Sequence, residues 1–219
     1  VLGGRGGARG GGGVAPFPGP GGGRVVRGDL GSLDGAKALG EALLALDRPI
    51  AALIHNAGIW PTARILSPEG FEESFVVNHL SPLLLNHLLF DRLATDGARV
   101  VQMTAGLYVA GRYDAEKTPT GADFSQLRTY ATTKLANLLA TLSLAERWGG
   151  RVPIHGVHPG VIRTGLGSME GPLGWLLALV KRLWKTPEYG ARAPIFLATD
   201  QGLARRTGLY FNEMAEAPL

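Results

Sequence analysis

Four short, predominantly apolar runs punctuate the chain: Ile50 to His55, Arg99 to Thr104, Ile154 to His158 and Leu209-Tyr210-Phe211. Each is bounded by turn residues, the pattern of strands buried on both faces. Between them, apolar positions recur at helical spacing. Asp34 to Leu46 carries Leu39, Leu43 and Leu46 on one side, and Pro68 to about Leu93 predicts a long helix that Pro82 should bend or locally break. A second long helix is predicted over Gln126 to Trp148, with Leu135, Leu138, Leu139 and Leu142 at buried-face spacing. Thr186-Pro187-Glu188 supplies an N-cap, a first-turn proline and a first-turn acid for a helix to about Ala198. Arg24-Val25-Val26 predicts one further strand ahead of Asp29-Leu30. Strands alternating with helices in this way predict an α/β, Rossmann-type, doubly wound and mostly parallel sheet. In such sheets ligands bind beyond the carboxyl ends of the strands. Asp29, Asn56 to Gly58, Thr104 to Leu107 and His158 to Thr164 are therefore where chemistry is expected.

Composition narrows the function classes. Residues 1–23 hold twelve of the 33 glycines together with Pro16, Pro18 and Pro20, too little side chain for a packed element, so a loop or disordered segment is expected there and one domain over 24–219. The chain has no cysteine, which removes disulfides and thiolate metal sites and accords with a reducing cytoplasm. Its five histidines, at 55, 79, 87, 155 and 158, follow no metal-ligand spacing. The net charge of +4 includes Arg5, Arg9, Arg24 and Arg27 ahead of the first acid, but no aromatics interleave as a base-stacking groove would require. Nucleic acid is thus not an expected partner. No apolar run approaches the roughly 20 residues that span a bilayer.

Tyr130 and Lys134 lie four apart on the second long helix, on one face. An ammonium beside a phenol favours the phenolate and lowers its pKa, which suits a proton donor to a carbonyl receiving hydride. The pair alone is weak, since a surface pair has the same spacing. Its company is more telling: Asn56-Ala57-Gly58 after one strand, Val77-Asn78-His79-Leu80 on the first long helix, Tyr130-Ala131-Thr132-Thr133-Lys134-Leu135-Ala136-Asn137, His158-Pro159-Gly160-Val161, and the closing Gly208-Leu209-Tyr210-Phe211. In this order the motifs resemble the short-chain dehydrogenase/reductase family, most strongly its retinol dehydrogenase and WW-domain oxidoreductase-like group, over residues 24 to about 212.

The resemblance implies a nicotinamide oxidoreductase using NADP, with NAD the alternative, on a small lipophilic carbonyl or alcohol. It implies Tyr130 as general acid/base, Lys134 as the residue that lowers its pKa and holds the nicotinamide ribose, and Asn78 as anchor of a relay water. Asn56, Ala57 and Gly58 would border the adenosine side and Asp29-Leu30 the adenine. Pro159, Gly160, Val161 and Thr164 would frame the nicotinamide amide. The alternatives are that Asn56 and Gly58 only shape a turn, Asn78 only caps backbone, and Thr164 only caps a helix; the functional roles are the favoured reading. A homo-oligomer through the long helices is also an analogy to the family.

Two departures from the family pattern bear on activity. In Met103-Thr104-Ala105-Gly106, Ala105 takes the position of the family's substrate-binding serine, and losing one such donor costs on the order of a hundredfold in rate. Thr104 is the neighbouring hydroxyl, although adjacent strand positions face opposite ways. The second departure is at the start, where no glycine turn follows a strand, so the chain is expected to begin at the family's second strand and to be incomplete at the N-terminus. A catalytically degenerate binding module and a truncated fragment are the rival readings. Pro172 to Val180, followed by Lys181, Arg182, Trp184 and Lys185, is expected to be an apolar lid or a peripheral membrane contact, or equally a core-covering helix with a solvated cationic end.

Overall fold

The computed structural model describes residues 25–162 and 185–219. Thr164, the expected N-terminal loop and the apolar segment 172–184 lie outside them. Helix α1 spans Leu33–Leu44, capped by Ser32, whose hydroxyl accepts from Gly35 N. Strand β1, Ala52–His55, is followed by a helical stretch in three parts: α2 at Glu73–Phe75, a π-helical turn at Val76–Leu80 and α3 at Ser81–Asp96. Strand β2 (Arg99–Met103), a 3-10 turn (Gly106–Ala110), α4 (Gln126–Trp148) and β3 (Ile154–His158) come next. The chain closes with α5 (Pro187–Thr199), β4 (Leu209–Asn212) and β5 (Ala215–Ala217).

The sheet order is β1-β2-β3-β4-β5, parallel through β4 and antiparallel at β5. Adjacent β2 residues serve opposite faces. Val100 joins Ile154 under α1, α3 and α4, with Leu39, Leu43, Leu85, Leu89, Leu144 and Trp148. Val101 and Met103 join Val157 and Phe211 under α5, against Ala193 and Leu197. Helices on both faces make the sheet doubly wound, which explains its apolar strands.

Several expected elements shift. Arg24 is outside the described residues, and Val25 to Arg27 form no strand; Val26 instead packs onto the first core cluster. The first long helix starts at Glu73 rather than Pro68, since the Glu72 carboxylate caps it by accepting from Phe75 N. Its irregularity falls just ahead of Pro82, as the missing N–H requires. On α4, Leu138 is buried, but Leu139 is 52% and Leu142 37% exposed. Its inward face carries Tyr130, Lys134, Asn137 and Thr141 together with Leu138, Leu144 and Trp148. Thr186 and Pro187 open α5 as expected, the Thr186 hydroxyl accepting from Tyr189 N.

Candidate active site

The parallel register brings the carboxyl ends of β1 to β4 to one edge of the sheet. Asn56 to Gly58 leaves β1 there, Thr104 and Ala105 leave β2, and Pro159 and Gly160 leave β3. Helix α4 lays Tyr130 and Lys134 along the same edge, both buried. The Lys134 ammonium donates to Met103 O at 3.3 Å and stands 5.5 Å from the centre of the Tyr130 ring. A Cβ on Gly58 would sit 3.7 Å from Lys134 Nζ and 3.3 Å from Asn78 Oδ1. The β1 turn, the π-helical turn and α4 thus converge on a small volume that only a side chain as small as glycine's leaves open.

Asn78 is fixed by four hydrogen bonds. Its Oδ1 accepts from Ile59 N at 2.8 Å, and its Nδ2 donates to Ile59 O at 2.9 Å and Thr133 Oγ1 at 3.1 Å. Thr133 Oγ1 in turn donates a hydrogen bond to Tyr130 O, and Asn78 O accepts from Asn137 Nδ2 at 2.8 Å. Both amide hydrogens of Asn78 are therefore committed, so a further ligand or water could only donate to it.

Electrostatics depart from the simple pairing argument. Burial pushes the Tyr130 phenol up to about 12 and draws the Lys134 ammonium down to about 8. Desolvation outweighs the attraction expected from the spacing, because the ammonium lies over the phenol ring and Trp60 covers the ring with a stacked indole, 4.6 Å centre to centre and 15° between planes. Trp60 Nε1 donates to Gln126 O, which locks the indole there.

The remaining residues fall in two groups. Leu30 O accepts from Ser81 Oγ at 2.9 Å, tying the Asp29-Leu30 turn to the start of α3, and exposed Asp29 accepts from Gly31 N. Gly160 has φ 91°, where a Cβ would also lie 2.9 Å from Glu213 Oε1, and Val161 is 54% exposed. Gly106, next to Ala105, abuts the His158 ring, 3.4 Å from its Cβ position to Nε2. Ala105 itself is half-buried and extended. The Thr104 side chain is buried beside Gly156, where its methyl lies 3.6 Å from the Cβ position, and its hydroxyl, without a hydrogen bond of normal geometry, faces the Tyr210 phenol.

Sequence reasoning singled out neither Trp60 nor the roles of Thr133 and Asn137. Asn137 was within reach, since it stands seven residues after Tyr130 and three after Lys134 on the same helical face. Trp60 has no such periodicity, and only the fold brings it to Tyr130.

A buried lysine retains three N–H donors, and among the described residues Lys134 uses one. Two unused donors at a sheet's carboxyl edge fit the vicinal hydroxyls of a ribose. The model of the short chain dehydrogenase family matches residues 23–171. Dehydrogenase/reductase SDR family member 13 from Bos taurus is 36% identical over 191 residues, 84% of this chain and 50% of that protein. Retinol dehydrogenase 14 from Mus musculus is 34% identical over 199 residues, 87% of this chain and 59% of that protein. The chain thus spans between half and three-fifths of these relatives. A solved short chain dehydrogenase/reductase family protein superposes with a TM-score of 0.60 at 26% identity, covering 87% of this chain and 75% of that one.

Proposed function

Because the chain belongs to the short-chain dehydrogenase/reductase family, we propose that it supports hydride exchange between NADP(H) and a small lipophilic carbonyl or alcohol, with Tyr130 as the proton-transferring residue. The observation that carries this reading is the convergence of Gly58, Asn78 and Lys134 beside a buried phenol at the carboxyl edge of the sheet. The reduced nicotinamide, when bound, supplies the hydride that adds to the carbonyl carbon.

Tyr130 then protonates the developing alkoxide, and a phenol held at about 12 is fully protonated at neutral pH and ready for that step. Lys134 holds the ribose hydroxyls with its two remaining donors and stabilises the phenolate left behind. Asn78 keeps Ile59 and the Asn56-Ala57-Gly58 turn in register with α4 and offers lone pairs to a relay water. Asp29 and Leu30 would border the adenine, and Pro159 to Val161 with Thr164 the nicotinamide amide. The lipophilic substrate class rests on the relatives named retinol dehydrogenase and on the indole of Trp60 beside the phenol. The preference for NADP over NAD rests on the family resemblance.

One observation favours a second reading, a dinucleotide-binding module without turnover: Ala105 presents no hydroxyl, and the Thr104 hydroxyl faces Tyr210. The two readings part in one experiment. NADPH oxidation is followed by absorbance with aliphatic aldehydes of increasing chain length, alongside fluorescence titration of NADPH binding. Oxidation that rises with chain length supports the reductase; saturable binding with no oxidation supports the module; absence of binding refutes both.

A further inference from the structure

We propose that Asn137 is a positioning residue that fixes Asn78 through the backbone carbonyl that Pro82 cannot serve. The proposal rests on the role given to Asn78 in the reaction above. In an uninterrupted α-helix the N–H of residue 82 would donate to Asn78 O. Proline has no N–H and its ring crowds that carbonyl. The backbone answers by widening into the π-helical turn Val76–Leu80, in which Ser81 N reaches back to Val76 O. Asn78 O thereby loses its α-helical donor at position 82, in a residue only 1% exposed. A buried carbonyl that loses a donor gives up the hydrogen bonding it had in water, so a replacement donor is favoured.

Asn137 supplies the missing donor. Its Nδ2 reaches Asn78 O at 2.8 Å, and its Oδ1 lies 3.0 Å from Nδ1 of His79. A backbone carbonyl only accepts, so the amide nitrogen must face Asn78 and the amide oxygen must face His79. His79 therefore carries its proton on Nδ1. Burial holds the pKa of that ring below its usual value, which keeps it neutral. One side-chain amide thus grips consecutive residues of the π-helical turn and fixes the direction of the peptide between them.

The grip comes from α4, the helix that also carries Tyr130 and Lys134. Asn78 is consequently held in register with the reacting pair by a group one turn along the same face, rather than by its own irregular helix. Without Asn137 the Asn78 carbonyl must turn to find another donor, and the side chain between Ile59, Gly58 and Lys134 turns with it.

The test uses Asn137→Leu, which removes both contacts, and Asn137→Asp, which preserves volume and the oxygen facing His79 while removing the donor. Each is made alone and with Pro82→Ala, which gives residue 82 an N–H able to serve Asn78 O. Three quantities are read: amide exchange of Ile59, whose N–H donates to Asn78 Oδ1; kcat and KM with NADPH and an aliphatic aldehyde; and the unfolding midpoint. The expected result is faster Ile59 exchange and a kcat lowered on the order of tenfold or more with KM little changed, both restored by Pro82→Ala. Unchanged Ile59 exchange overturns the proposal, as does a lowered unfolding midpoint with kcat intact, or restored exchange without restored kcat. Should Asn137→Leu fail to fold, Asn137→Asp carries the same test. Should the wild-type protein show no turnover, the reaction fails as a reading, while Ile59 exchange still decides the role of Asn137.

Discussion

Replacing Lys134 by methionine should make the protein more stable and less active at once. The side chain is 5% exposed, and burial alone draws its pKa from 10.5 to about 8. At about 1.4 kcal/mol per pKa unit, the native state at pH 7 carries a penalty of about 3 kcal/mol for holding that ammonium out of water. Methionine fills similar volume without the charge, so Lys134→Met should gain about 2–3 kcal/mol at neutral pH, after loss of the weak bond to Met103 O. In a chain of 219 residues this raises the unfolding temperature by about 5–10 °C.

The sign can be checked with pH. Below about pH 8 the lysine is protonated in both native and unfolded chains, and the penalty is complete. Between about 8 and 10.5 the native state loses its proton first, so wild-type stability rises relative to the variant by about 1.4 kcal/mol per pH unit. The gap between the two proteins therefore closes as pH approaches 10.5. Tyr130 titrates in both proteins and cancels from the difference. Urea unfolding of both at pH 7 and pH 10, with NADPH oxidation measured in parallel, is the assay. A Lys134→Met protein less stable than wild type at pH 7 would refute the reasoning, because Lys134 would then be a structural residue rather than one held at a cost to the fold.

Three further outcomes follow from the same geometry. Ala105→Ser, at a position whose extended backbone (φ −152°, ψ 150°) accepts serine, should raise single-turnover hydride transfer on the order of a hundredfold; no change or a decrease counts against a missing donor. His55 and His155 are both buried with pKa values depressed to about 4, chiefly by desolvation, so the stability of the neutral forms is complete above pH 6.5 and is lost as pH falls toward 4, at about 1.4 kcal/mol per pH unit for each. Urea midpoints between pH 4.5 and 7 should fall in this direction, less steeply in His155→Leu, and a flat profile would contradict it. Trp60→Ala uncovers the phenol ring and should move the Tyr130 titration down from about 12 toward 10, read by ultraviolet difference titration against Tyr130→Phe; an unmoved titration would show that the indole does not desolvate the phenol.

Where sequence and structure agree, a strong local constraint is responsible. The apolar runs that became β2 and β3 are buried on both faces, so each is legible by itself, and those of β1 and β4 carry the same apolar signal with less burial. Tyr130 and Lys134 were legible because helical spacing alone puts them on one face. Two leucines of α4 misled for a physical reason: Tyr130, Lys134, Asn137 and Thr141 share the buried face with Leu138 and Leu144, which leaves Leu139 and Leu142 at the surface. The exposed residues of β5 carry no apolar signal, and its existence depends on pairing with β4. Pro82 marked a break, but not that the break would be a π-helical turn served by Asn137 from another helix. The phenol's raised pKa was illegible because the sequence gives the neighbouring charge and not the indole that excludes water.

The most direct test of the chemistry is single-turnover hydride transfer from NADPH in Tyr130→Phe. The substitution removes one oxygen from a ring held by Trp60 and leaves Lys134, Asn78 and Gly58 in place. NADPH affinity should be preserved while reduction of an aliphatic aldehyde disappears. Reduction at the wild-type rate would remove Tyr130 as the proton donor.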